Sequence, residues 1–351
     1  MRNDKAKKIR VTIVSDELPK GCGLATYYDN LVSNLTEKDI DARYSGVRKL
    51  FGNYPFSLSR SVKTRIVHFT DQKVAAVLLF SPFRRYKAVV TVLDIIELIN
   101  FKDVYHIRSL KARVVHKIWS WIIKQSFKKA DALIAISDHT KKDVQGLIGK
   151  KKKIKIIYGG ADKRFRHIDI RKVKHSVLFV GSALPHKNLA TLLEAFSIVV
   201  KEIPDATLVI AGRNISKDYA IHKSIRRFGL ERYIIFKGDV KDTPTEYSKA
   251  DLLVFPSLYE GFGLPVLEAM ACGCPVACSN RTSLPEVAGD AAAYFDGYDT
   301  TDMAKKIILV LTDDKLKEEM IKKGFVQAKK FSWKKYAKET AEVYRGIMEK
   351  D

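Results

Sequence analysis

Cysteine is scarce: the 351 residues contain four, three of them crowded between 272 and 278. That spacing does not make a disulfide framework, so a reducing compartment is the expectation. Long apolar runs are missing too. The longest, such as Val89-Val90-Thr91-Val92-Leu93, stop far short of the roughly 20 residues that cross a bilayer, which predicts no transmembrane helix. The first ten residues, MRNDKAKKIR, lack the apolar stretch of a signal peptide, and a cytoplasmic location is expected. There is no low-complexity segment and no short-period repeat. The glycines of Gly21-Cys-Gly23 fall short of a full dinucleotide fingerprint, and no Ser/His/Asp set has diagnostic spacing. Acid is in short supply as well: 63 basic side chains face 40 acidic ones, giving +23. Residues 1–160 alone hold 32 basic and 14 acidic side chains, so +18 of that excess sits in the first half. A field of this size attracts polyanions, an anionic membrane face or phosphorylated small molecules, and it says nothing about fold.

What is present is ordinary globular material, with 46% hydrophobic and 29% charged residues. The length favours two domains. Apolar β-rich runs alternate with helix-period runs throughout, the signature of doubly wound α/β architecture. Ile9 to Val14, Thr64 to Phe69, Ala88 to Leu93, Ala132 to Ile136 and Lys153 to Tyr158 read as buried parallel strands. After Gly159-Gly160-Ala161-Asp162 the pattern restarts at Ser176 to Val180, Ala206 to Ala211, Tyr233 to Phe236, Asp251 to Phe255 and Pro275 to Ala277. Two Rossmann-like, parallel-sheet domains are predicted, over 1–165 and 166–332, with 333–351 a polar helix that packs back toward the first. Ligands of such sheets bind beyond the carboxyl ends of the strands, so two domains facing one another would share a cleft.

The most specific chemical signal is Glu260-Gly-Phe-Gly-Leu-Pro-Val-Leu-Glu268, which follows one predicted strand and opens a helix. Gly261 and Gly263 let backbone approach a ligand, and the helix start offers free N–H groups to an anion. Glu260 precedes the helix and Glu268 lies about two turns in, so two carboxylates straddle that site. A phosphate flanked by two polyols describes a sugar nucleotide. The competing reading is a glycine-rich turn with Glu260 on the helix dipole and Glu268 solvated.

The run Pro256-Ser-Leu-Tyr-Glu260-Gly-Phe-Gly-Leu-Pro-Val-Leu-Glu268 resembles the E-x7-E signature of retaining glycosyltransferases of the GT-B fold, family 4. Val180-Gly181-Ser-Ala-Leu-Pro-His186-Lys187-Asn188, Leu208-Val-Ile-Ala-Gly212-Arg213, Phe236-Lys-Gly238-Asp-Val240 and Ser283-Leu-Pro-Glu-Val-Ala-Gly289 are similar to that family's segments in order and spacing. The first half resembles it more loosely. The resemblance implies a nucleotide-sugar domain after an acceptor-binding one, and transfer to a hydroxyl with retained anomeric configuration. It also implies that no metal or cofactor is needed, the diphosphate being held by protein donors. On that resemblance Lys187 holds the diphosphate, Glu260 takes donor-sugar hydroxyls, Gly261, Phe262, Gly263 and Leu264 meet phosphate or sugar with their amides, and Glu268 binds the ribose. Arg213 and Val240 fall at the base, and Gly21 and Gly23 meet the diphosphate from the first domain. Two departures stand out. Ser182 replaces the family's usual Arg, with His186 or a basic residue elsewhere as compensation, and Leu93 replaces a frequent His. Asp94 remains at that strand end, either as an orienter of the acceptor hydroxyl or as a buried carboxylate capping a loop, with Asp71 and Gln72 on the acceptor side.

Other features read more plainly. Cys272-Gly-Cys274-Pro-Val-Ala-Cys278 has no fourth metal partner nearby and suits small-residue packing better than a metal site. In Ile107 to Lys129, 100° per residue sets Arg113, Lys117, Lys124 and Lys128 within about 60° of one another, beside an apolar arc of Leu110, Val114, Ile118 and Ile122 flanked by Trp119 and Trp121. That helix either covers a sheet or lies on an anionic membrane. Together with Lys150 to Lys153 it favours peripheral membrane attachment or an anionic acceptor such as a lipid-diphosphate-linked one; the acceptor expected for the transfer is a glycan or a lipid-linked molecule. No nucleic-acid-reading motif stands out. The rival functions are a sugar-nucleotide epimerase or phosphorylase of the same architecture and a noncatalytic basic module that binds polyanions.

Overall fold

The structure, a computed structural model, describes residues 8–15, 23–46, 63–80, 84–99 and 110–349. Gly21 and residues 107–109, which begin the predicted basic helix, lie outside them. The chain forms two compact units, one of residues 1–159 with 332–351 and one of residues 160–331.

The first unit is built on β1 (Ile9–Ser15), α1 (Gly23–Asn34), β2 (Ile40–Gly46), β3 (Ile66–Phe69), β4 (Lys87–Val92), α2 (Ile96–Ile99), α3 (Leu110–Lys129), β5 (Ala132–Ala135), α4 (Asp138–Ile148) and β6 (Ile154–Ile156). Its six strands are all parallel, in the order β2-β1-β3-β4-β5-β6. Both faces of the central strands are covered, so they read as continuous apolar runs: all four residues of β3 are buried, as are the last five of β4. Ser137 starts α4 by accepting the Thr140 N–H at 3.0 Å, satisfying one of the donors a helix start leaves free.

The second unit repeats the plan with β7 (Ser176–Val180), α5 (Leu189–Glu202), β8 (Thr207–Ala211), α6 (Tyr219–Arg227), β9 (Ile234–Gly238), α7 (Thr243–Lys249), β10 (Leu252–Phe255), α8 (Leu264–Ala271), β11 (Val276–Ser279), α9 (Leu284–Ala288), β12 (Ala292–Phe295), α10 (Thr300–Thr312) and α11 (Asp314–Ala328). Its strand order is β12-β11-β10-β7-β8-β9, again all parallel. The doubly wound α/β class expected from the periodicity is what both units show.

The last helix, α12 (Trp333–Met348), belongs to the first unit. It is polar only on one side. Trp333, Tyr336, Ala337, Thr340, Ala341, Tyr344 and Ile347 form a buried stripe at helical spacing. Tyr27 of α1 meets Trp333 and Tyr336 edge-on, at 4.9 and 5.7 Å between ring centres. Arg345 grips Asp39 through Nε and Nη2 at 2.7 and 2.8 Å, and Glu37 at 2.9 Å. Among the described residues no helix is long and apolar enough to cross a membrane.

Candidate active site

The carboxyl ends of β7, β8, β9 and β10 converge on one edge of the second sheet. The backbones are close there: a Cβ on Gly212 would sit 1.9 Å from the Gly181 carbonyl oxygen, so both turns need glycine-sized clearance. After β7 the chain makes a short turn, Pro185 to Lys187, that delivers Lys187. After β10 the loop delivers Glu260. Their side chains meet, Lys187 Nζ lying 2.6 Å from Glu260 Oε1, with only 19% and 14% of each side chain exposed. The ammonium also lies 5.6 Å from the centre of the Phe255 ring, which favours a cation.

The Glu260 loop is held from behind. Thr282 Oγ1 accepts the Glu260 N–H at 3.1 Å, and Ser283 Oγ donates to the carbonyls of Glu260 and Phe262 at 2.9 and 2.8 Å. Gly263 begins α8 at a φ of 113°, where a Cβ would lie 2.8 Å from Leu284 Cδ2. Asn188 ties the Lys187 turn to this loop, donating to the carbonyls of Pro256 and Gly297 at 3.2 and 2.7 Å. The pair is thus fixed by backbone contacts on both sides. His186 shares the turn; its buried Nδ1 has no hydrogen-bond partner among the described residues. Burial, reinforced by the Lys187 charge, lowers its pKa to about 4, so the ring stays neutral beside the ammonium.

Glu268 lies one turn into α8, nearer the helix start than the sequence spacing suggested, because the helix begins only at Leu264. It is half-buried and not solvated. Crowding raises its carboxyl pKa to about 7, opposed by the Tyr247 hydroxyl, which donates to Oε2 at 3.1 Å, and by the Arg164 charge. Arg213, at the end of β8, pairs with Asp239 at 3.1 Å on the exposed rim, next to Val240. Ser182 follows β7 and is half-buried. Lys187, His186, Glu260 and the Gly261 to Leu264 backbone are therefore brought together; Glu268 follows on α8 from the same β10 end, while Arg213 is reached through the end of β8.

In the first unit, Asp71 and Gln72 follow β3 and Asp94 follows β4. Asp71 caps the next turn by accepting the N–H groups of Lys73 and Val74 at 2.7 and 3.0 Å. Gln72 Oε1 accepts the Leu93 N–H at 3.4 Å, and Asp94 accepts that of Ile96 at 3.3 Å. Gly23 opens α1. Cys272, Cys274 and Cys278 are free and buried, and burial pushes the first two thiols up to about 12. Tyr247, Thr282 and Arg164 were not singled out by sequence reasoning; each acts through a contact made by folding and has no local spacing to reveal it.

These two sheets and the site at a strand-end edge define a two-domain Rossmann-like protein of the GT-B fold. Residues 6–165 match the family described as Glycosyltransferase Family 4, and residues 161–327 the one described as Glycosyl transferases group 1. An O-antigen chain mannosyltransferase B of Escherichia coli is 39% identical over 171 residues, a match covering 48% of this chain and 45% of that protein. The chain thus spans about half the length of that relative. A sucrose-phosphate synthase of Thermosynechococcus elongatus superposes with a TM-score of 0.79 at 18% identity, covering 98% of this chain and 100% of the other. HepE of Anabaena, in complex with UDP-glucose, gives 0.77 at 18% identity over 96% and 99% of the two chains.

Proposed function

We propose that the chain is a cytoplasmic retaining glycosyltransferase that moves a hexose from a nucleotide-diphosphate sugar to a hydroxyl of a glycan or lipid-linked acceptor. The Lys187–Glu260 pair carries this reading. A diphosphate arriving at the strand-end edge meets an ammonium already desolvated and oriented, together with the N–H groups at the start of α8. The Glu260 carboxylate, released from Lys187, then accepts sugar hydroxyls, and Glu268 accepts those of the ribose. As the glycosidic bond lengthens, negative charge grows on the leaving diphosphate, which Lys187 and the α8 amides stabilise without needing a metal. The acceptor proton passes to the leaving phosphate on the same face, which retains the configuration. Asp94, Asp71 and Gln72 would order the acceptor side. The relative named as a mannosyltransferase puts mannose first among donor sugars to test. The epimerase, phosphorylase and noncatalytic readings have less behind them, since that relative's name describes a transfer.

Glu260→Gln keeps the shape and loses the charge, so transfer should fall by roughly 10²–10³-fold while the thermal midpoint stays near wild type. Near-normal transfer by the variant, assayed with a panel of nucleotide sugars and with chelator present, would remove the assignment.

Peripheral attachment to an anionic membrane is part of the proposal, and α3 supports it. Its second half packs on the sheet through Ile123 and Phe127. Nearer its start, Val114, Val115, Ile118 and Trp121 are each at least half exposed, with exposed Lys111, Arg113 and Lys117 beside them in the helix. Apolar side chains flanked by cations suit a headgroup boundary. Ile118→Ser with Trp121→Ser should abolish flotation with anionic vesicles while leaving soluble-acceptor transfer intact; unchanged flotation would contradict it.

A further inference from the structure

Part of the positive charge of the first unit gathers at one edge of its sheet. Because all six strands run parallel, their entries share one edge, opposite the edge that carries Asp71, Gln72 and Asp94. Each of β3, β4, β5 and β6 is entered from basic residues: Arg65 before β3, Arg84 and Arg85 before β4, Lys129 before β5, Lys153 before β6. That edge also holds a cavity of about 400 Å³, lined by Arg65, Arg84, Arg85, Lys87, Tyr86, Asp131 and Met348 of α12.

Its floor is rigid and already neutralised. Arg84 Nη1 donates to Asp131 Oδ2 at 2.6 Å and to the Tyr86 carbonyl at 2.9 Å, and Nη2 donates to the Lys129 carbonyl at 2.7 Å. Asp131 Oδ2 also accepts the Ala88 N–H at 2.7 Å. Asp131 is therefore committed to Arg84 and to a strand start. Arg65 and Arg85 form no ion pair among the described residues and are exposed at the rim. Among the described residues, Arg65, Arg84, Arg85 and Lys87 line the concavity with Asp131, and Tyr86 and Met348 complete the lining. A flat lysine surface would suit diffuse attraction to any polyanion. Guanidinium forks around a pocket of this size suit a compact group with several oxygens on one centre.

We infer that this cavity is a second anion site, separate from the candidate active site, that binds a phosphomonoester or diphosphate group through Arg65 and Arg85 with Lys87. It goes beyond the proposed transfer reaction and does not depend on it. The group can come from a soluble phosphorylated molecule or from a lipid headgroup, and the chemistry recognised is the same.

The test is titration calorimetry of the full chain carrying Lys187→Ala, which silences the proposed donor site, with sodium pyrophosphate at low salt. One saturable event is expected. Adding Arg65→Ala with Arg85→Ala should weaken it by roughly tenfold or more, since two charge-assisted contacts are lost. Arg65→Lys with Arg85→Lys should weaken it less, because the charge stays and the fork goes. No saturable event in the Lys187→Ala protein, or an event indifferent to the double alanine change, would overturn the inference. Flotation with phosphatidylcholine vesicles, with and without phosphatidic acid, then identifies the source. Recruitment by phosphatidic acid that is lost with Arg65 and Arg85 supports the site with a lipid headgroup as ligand. Recruitment that survives their loss, while pyrophosphate binding does not, supports it with a soluble phosphate as ligand.

Discussion

At Glu268 one proton links stability to the site. Free glutamate gives up its proton near pH 4.5, whereas in the fold burial holds it to about 7. Between those values the folded chain binds more protons than the unfolded one, so stability falls as pH rises through that window. Its contribution is whole below pH 4.5 and gone above 7. Glu268→Gln should therefore flatten the part of the denaturation curve lying between pH 5 and 8, measured by urea midpoints at half-unit steps. The same slope in variant and wild type would mean that the carboxyl is ionised throughout. The residue's chemistry was legible as an acid at a set distance from Glu260; its elevated pKa was not, because the burial that raises it is made by folding, as are the opposing contacts from Tyr247 and Arg164, 21 and 104 positions away in sequence.

Among elements, the interior strands announce themselves as apolar runs because they are covered on both faces, and their predicted positions hold. Both strands that escaped the sequence reading are sheet edges, β2 and β12. In β2, IDARYSG, Arg43 and Tyr44 are exposed; in β12, Ala292 to Tyr294 are half-buried. An edge strand pairs on one side only and needs less apolar surface, so its composition resembles a loop. The α12 helix was expected, as a polar one; its buried stripe was not legible because it relies on Tyr, Thr and Ala, which lower its apparent hydrophobicity. One consequence can be measured. His68 of β3 is fully buried, its Nδ1 2.6 Å from the Tyr344 hydroxyl of α12 and its Nε2 2.8 Å from Thr91 Oγ1. Burial lowers its pKa from 6.5 to about 3. Below pH 6.5 the unfolded chain takes a proton that the fold refuses, so stability is full above 6.5 and declines as pH falls toward 3. His68→Gln should be less stable at pH 7 and lose that acid-side slope, as read by thermal midpoints between pH 7 and 4. An unchanged slope would place the acid sensitivity elsewhere.

For the whole molecule, the two units divide the chemistry as charge and glycine divide the sequence. The first gathers several of its cations along the strand-entry edge of its sheet. The second holds a glycine-lined strand-end edge on which one ammonium and one carboxylate are pinned together from both sides. The central claim is that this pair receives the diphosphate of a sugar nucleotide, and it is tested most directly by calorimetric titration of nucleotide sugars into the wild-type chain and Lys187→Ala. The account predicts one donor that binds the wild type with saturation and binds the variant at least about tenfold more weakly, as loss of a charge-assisted contact requires. Equal affinity for both proteins would contradict it.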